Sequence, residues 1–209
     1  YELICEINKS NDYGFKNIGF NRHVNLEFIS ANPTGPLHVG HLRGAIYGDV
    51  LSRLMSKTGF KVTKEYYVND LGNQIENLFQ TVKIHIENKV NNTEKKIKEG
   101  MYIGDYLHKI AEQLVKENID LNNLKEAKVK IVDKILHLIK QDIKSLGITF
   151  DSFISEKDIH GHGLLDKVLL KLKKKNLIYE GILDAPKGKQ DINWKPERQL
   201  IFRSSFFGD

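Results

Sequence analysis

An open α/β sheet, its parallel strands joined through helices, is the fold this sequence predicts. Residues 24–29 and 60–68 read as strands. Each is followed by a segment whose apolar residues recur at helical spacing. The order that results is strand, helix, strand, several helices, strand, which belongs to an open parallel sheet with flanking helices.

Residues 1–23 are a polar, short-stranded lead-in containing Asp12-Tyr13-Gly14 and read as the tail of a preceding domain. In 24–29, Val24, Leu26 and Phe28 alternate with Asn25, Glu27 and Ile29, a period of two with different faces. Pro33, Gly35 and Pro36 break that strand. The helix that follows carries Leu42, Ile46, Val50 and Leu54 at helical spacing, and Gly59 suits its stop. Gly40, Gly44 and Gly48 fall every fourth residue along it. Such a stripe lets the helix lie close to something flat: the sheet beneath it, or, for the first glycine, a nucleotide base. Both readings stand, one per glycine.

The second strand, 60–68, offers Phe60, Val62, Tyr66 and Val68 to the core. Asn69-Asp70 reads as a helix cap, and Leu71, Ile75, Leu78, Val82 and Ile86 form the stripe of the helix behind it. Residues 87–100 are polar and mixed in charge, a surface loop or a frayed helix end. Helices are expected at 104–118, through Leu107, Ile110, Ala111 and Leu114, and at 122–146, through Val132, Ile135, Leu136, Ile139, Ile143 and Leu146. A strand at 148–154, a helix at 162–175 and short strands near 177–184 and 199–204 complete the chain.

The bulk composition excludes several classes. With 209 residues, 40% hydrophobic and 28% charged, the chain is of ordinary globular make-up. No apolar run is long enough to span a bilayer. The single Cys5 rules out an internal disulfide framework and suits a reducing compartment, so a cytoplasmic location is expected. A net charge of +5 permits a nucleic-acid partner without requiring one. His160-Gly161-His162 has no Cys or carboxylate at zinc-like spacing, and no metal site is expected. Lys171, Lys173, Lys174 and Lys175 read as the solvated end of a helix, and Trp194, Phe202, Phe206 and Phe207 as packing residues.

Chemistry concentrates after the first strand. His38, Gly40 and His41 fall in the first turn of the helix. A helix start presents unpaired N–H groups and partial positive charge, which suits phosphate. Two imidazoles three residues apart share one face and can donate to the same anion. Glu27, Ser30 and Asn32 end the strand; by themselves, Glu27 reads first as a solvated strand residue and Asn32 as a turn former.

The string SANPTGPLHVGHLRGA, followed by EYYVNDLGNQI, closely resembles arginyl-tRNA synthetase of the bacterial type, and HVGH resembles the HIGH signature of class I aminoacyl-tRNA synthetases. Fainter similarity runs through LGITFDSFISE, KKKNLIYEG and QLIFRSSFFGD. The resemblance implies a Rossmann-like catalytic domain whose first half is 24–176, with 177–209 opening a small β-rich connective insertion. It implies an arginine–tRNA ligase that uses ATP with Mg2+, L-arginine and tRNA(Arg), monomeric in full-length form and needing no membrane. It assigns the HIGH region to Ala31, Asn32, Pro33, Thr34, Gly35, Pro36, Leu37, His38, Val39, Gly40 and His41. His38 and His41 would act in catalysis and, with Val39 and Gly40, bind ATP. Glu27, Ser30, Asn32 and Gln74 would bind arginine. The alternatives are another HIGH-containing adenylate-forming enzyme, or a non-catalytic relative that binds tRNA or protein. Some arginyl enzymes carry Lys just before HIGH and lack KMSKS; here Gly35 stands there, so a downstream KMSK-like lysine is expected beyond Asp209, as is the anticodon-binding domain. The chain is thus read as a piece of a larger protein, inactive by itself.

Overall fold

Three strands run parallel in the order β1 (His23–Glu27), β2 (Lys61–Val68), β3 (Ser152–Ser155). The computed structural model describes residues 1–10, 13–183 and 196–208. Val24 lies beside Val62, Glu27 beside Glu65 and Tyr66 beside Phe153. β1 stops two residues before the alternating pattern does, because Ile29 and Ser30 take positive φ of 65° and 38°. An extended strand cannot pass through that region, and for a β-branched residue it is strained. Where short strands are expected before the sheet, a helix, α1 (Glu2–Lys9), forms instead and buries none of its residues.

The crossover from β1 to β2 is α2 (Val39–Lys57). Its buried face is not the apolar stripe of the sequence. Ala45, Gly48, Asp49 and Ser52 are buried, whereas Ile46, Val50 and Leu54 are 53%, 49% and 59% exposed. The reason is the close approach of the helix to the sheet. A Cβ on Gly48 would lie 2.2 Å from Cγ of Phe28, so only short side chains fit on that side. The larger apolar residues are turned outward. Asp49 is held by Arg53 at 2.7 Å, one helical turn away. Of the glycine stripe, Gly48 meets the sheet, Gly44 faces open space, and Gly40 faces the His38 ring.

Three helices separate β2 from β3: α3 (Asn73–Asn91), α4 (Asp105–Lys116) and α5 (Leu124–Ser145). They meet through the residues their periodicity marks. Leu78, Val82, Leu107, Ile110, Leu114, Ile135 and Ile139 are almost wholly excluded from solvent, joined by Phe79 and Ile131. Leu146, expected in this stripe, is 44% exposed and caps the end of α5. Phe28, Tyr66, Phe150 and Phe153 form an aromatic layer, with Tyr66 stacked on Phe153 at 5.0 Å and Phe28 against Phe150 at 4.5 Å. Asn69-Asp70 does not cap α3, whose N-cap is Gly72 with no side-chain bond. Asp70 instead accepts from Ser155 Oγ at 2.7 Å and Lys157 N at 2.9 Å, at the start of α6 (Glu156–Gly161). Its carboxylate thus caps a helix on the neighbouring strand, a partner no local pattern could reveal.

The chain divides into two compact units, Tyr1–Lys157 and Asp158–Asp209. The second contains α7 (Leu164–Lys174) and an antiparallel pair, β4 (Ile178–Ile182) with β5 (Arg198–Phe202), followed by a 3-10 turn over Ser204–Phe207. Phe202 and Phe207 stack on each other at 5.7 Å, yet both stay exposed, as does Phe206. They pack on one another and on Arg203 at the surface of this unit rather than in a buried core. Trp194 lies outside the described residues.

Candidate functional site

The end of β1, residues 28–38 and the first turn of α2 build the site. His38 is the N-cap of α2, and its backbone is extended there. Its Nδ1 accepts from Gly40 N at 3.1 Å, and its own N–H donates to His41 Nδ1 at 3.3 Å. This is a reciprocal cap made by two histidines, the roles that Ser and Glu usually fill. A ring nitrogen that accepts carries no proton, so each neutral ring holds its proton on Nε2. Both Nε2–H groups are therefore spared by the cap. The rings lie 3.9 Å apart, tilted by 30°. Burial first, and then repulsion from the His38 ring when that is protonated, hold His41 below its ordinary pKa, in keeping with its accepting role.

His38 and His41 line a cavity of about 440 Å³ with Asn32, Thr34, Pro36 and Tyr106. Asn32 Nδ2 donates to Gln74 Oε1 at 2.8 Å, so two residues 42 apart in sequence are joined. The bond leaves Asn32 Oδ1 and Gln74 Nε2 open to a ligand. Ser30 Oγ accepts from Tyr67 N at 3.0 Å and keeps its own proton for donation. Glu27 is exposed at the end of β1 and lies outside the cavity lining. Val39 and Gly40 are exposed at the helix start, and Ala31 and Pro33 are buried beneath the loop. Among the described residues no three His, Cys, Asp or Glu side chains are grouped to hold a metal ion.

Several residues of the site carry no local sequence signal. Tyr66 Oη donates to Ala31 O at 2.9 Å, and burial pushes its pKa up to about 12. Tyr106 Oη donates to Thr34 O at 2.8 Å, and a Cβ on Gly35 would come within 3.2 Å of the same oxygen. Asp142 Oδ2 accepts from Leu37 N at 3.1 Å. Tyr67 is raised above its ordinary pKa by burial and then by the negative charges of Glu156, Asp70 and Glu27. Only three-dimensional pairing brings these groups in from β2, α4, α5 and α6.

A parallel sheet with crossover helices, carrying its polar cluster at the carboxyl ends of the strands, defines an open-sheet α/β protein of the kind that binds ligands at that end. Within that class the chain belongs to the family described as tRNA synthetases class I (R), catalytic domain, whose profile matches residues 5–183. It is 41% identical over 213 residues to an arginine–tRNA ligase of Wolbachia sp. subsp. Brugia malayi (strain TRS), covering 99% of this chain and 37% of the relative. It is 42% identical over 205 residues to the arginine–tRNA ligase of Orientia tsutsugamushi (strain Boryong), covering 93% and 34%. A solved structure from Campylobacter jejuni, assigned as an arginyl-tRNA synthetase, matches 100% of this chain and 43% of its own, with 33% identity and a TM-score of 0.78. The chain thus spans little more than a third of the length of the curated relatives it matches.

Proposed function

We propose that the full-length polypeptide carrying this chain is an arginine–tRNA ligase. It activates L-arginine with Mg-ATP to an adenylate, releases pyrophosphate, and passes the arginyl group to tRNA(Arg). The observation that carries this reading is the paired cap: two imidazoles at a helix start, each with Nε2–H unused by the cap. In the first step the carboxylate attacks the α-phosphorus of ATP. The protein must align the reactants and stabilise charge on the phosphoryl oxygens. His38 and His41 supply donors to those oxygens, and Val39 and Gly40, exposed at the helix start, complete the ATP site. Asn32, Gln74 and Ser30 suit the amino and carboxyl groups of arginine, and Glu27 its guanidinium, which prefers a fixed carboxylate. Family membership and relatives at 41–42% identity support the same substrates. We further propose that it acts in the cytoplasm as a monomer; no helix among the described residues is long and apolar enough to cross a membrane. The domains proposed for the longer protein are a preceding domain ending near 23, the first catalytic half at 24–176 and an insertion beginning at 177.

The test is ATP–pyrophosphate exchange by the full-length polypeptide over the twenty amino acids, with tRNA(Arg) present. Exchange with arginine alone is expected. Exchange with a different amino acid would assign another adenylate-forming enzyme, and no exchange with any would assign a non-catalytic relative.

A further inference from the structure

The loop between β1 and α2 is held at three points by side chains from three different elements. Tyr66 of β2 holds Ala31 O, Tyr106 of α4 holds Thr34 O, and Asp142 of α5 holds Leu37 N. The tethers fall every third residue and end one residue before His38. Tyr66 is fully buried and stacked on Phe153, so it also belongs to the core. Asp142 differs. It is half-buried, and it lines a small cavity of about 200 Å³ together with His38, Val39 and His41. Its hydrogen bond with Leu37 N crosses 105 residues to the backbone that leads into the histidine cap.

We propose that Asp142 is a positioning residue for the imidazole pair. Its carboxylate fixes the direction in which Leu37 delivers the chain to His38, and so the place where both Nε2–H groups point. It touches no reacting atom. Leu37 follows Pro36, which has no N–H, so Leu37 offers the last backbone donor before the cap. A carboxylate acceptor makes that bond stronger than a neutral one would, and the partial positive charge at the start of α2 favours it further. Losing the tether lets residues 35–38 shift, and misplacement by about 1 Å costs up to about a hundredfold in rate where geometry carries catalysis.

The inference rests on the reading of His38 and His41 as donors to ATP, and its test separates the two. Wild type, Asp142→Ala and Asp142→Asn are made in the full-length polypeptide labelled with 15N-histidine. Exchange kinetics and the ring nitrogen signals of His38 and His41 are recorded for each, together with Tm. Asn keeps an acceptor oxygen for Leu37 N; Ala does not. Asp142→Ala is expected to lower kcat for exchange about tenfold with a smaller change in the KM for ATP, and to shift both ring signals. Asp142→Asn is expected to restore both readouts, with Tm within a few degrees throughout. Any other pattern overturns the proposal: a rate or ring signal that stands still in Ala, equal losses in Ala and Asn, or losses that track a collapse in Tm. If wild type shows no exchange, the proposed function fails, and the ring signals alone decide whether Asp142 positions the pair.

Discussion

His38 uses its two ring nitrogens for different ends. Nδ1 caps the start of the helix by accepting from Gly40 N, and Nε2–H is left to donate a hydrogen bond to a phosphate oxygen. An N-cap side chain is worth about 1 kcal/mol, and a donor to a developing oxyanion about 3 kcal/mol. His38→Ala removes both. It should cost about 1 kcal/mol of stability in addition to activity. Asn places its amide oxygen near the position of Nδ1 and is among the best N-caps, but it does not reach the position of Nε2. His38→Asn is therefore expected to unfold at the wild-type denaturant midpoint and to lose about 100-fold in exchange rate. A midpoint as low as that of His38→Ala would mean the cap is not made by Nδ1. The residues of this local motif were legible because a cap, a turn and a helix start are consecutive in sequence. Asp142, Tyr106 and Gln74 were not legible as partners of the loop, since each bonds a residue 42 to 105 positions away.

The helix α2 shows how a periodic pattern can be read correctly and yet face the wrong way. Leu42, Ile46, Val50 and Leu54 do lie along one line of the helix, but the residues it buries are Ala45, Gly48, Asp49 and Ser52. Apolar periodicity reports which face is greasy, whereas close backbone approach selects the face that is small. The helices α3, α4 and α5 pack on one another at ordinary separation, so there the apolar stripe is the buried one, and the sequence pattern located it. The two interior glycines of α2 turn this distinction into a measurement. Gly44 has nothing within 4 Å of its added Cβ, so Gly44→Ala gains helix propensity without a clash and should stabilise by about 0.5–1 kcal/mol. The Cβ of Gly48→Ala would press into the ring of Phe28, itself packed on Phe150, and should destabilise by about 1–3 kcal/mol. Urea unfolding of both variants gives the two signs. Equal effects would show that the helix does not lie as close to β1 as Gly48 indicates.

Among the described residues the buried apolar core lies in the first unit. The hydrophobic cluster and every side chain packed on it lie between Phe28 and Phe153. In the second unit Ile178 alone is a buried hydrophobic among the described residues, at 9% exposed, while Val168, Leu170, Ile182, Phe206 and Phe207 are each at least half exposed. Burial of apolar surface is the dominant favourable term in folding, at about 25 cal/mol per Å², so a unit with so little of it contributes little to the cooperative transition. Ending the chain after α6 retains the Asp70 contacts to Ser155 and Lys157 and removes no member of the cluster. A polypeptide of residues 1–161 is therefore expected to unfold in one cooperative step, with a Tm within about 4 °C of that of residues 1–209, because a loss of less than about 1 kcal/mol moves a domain of this size by no more than that. Calorimetry on the two polypeptides checks it. A fall of 10 °C or more, or loss of the transition, would mean that residues 162–209 bury apolar surface essential to the fold, and the placement of the core in the first unit would be wrong.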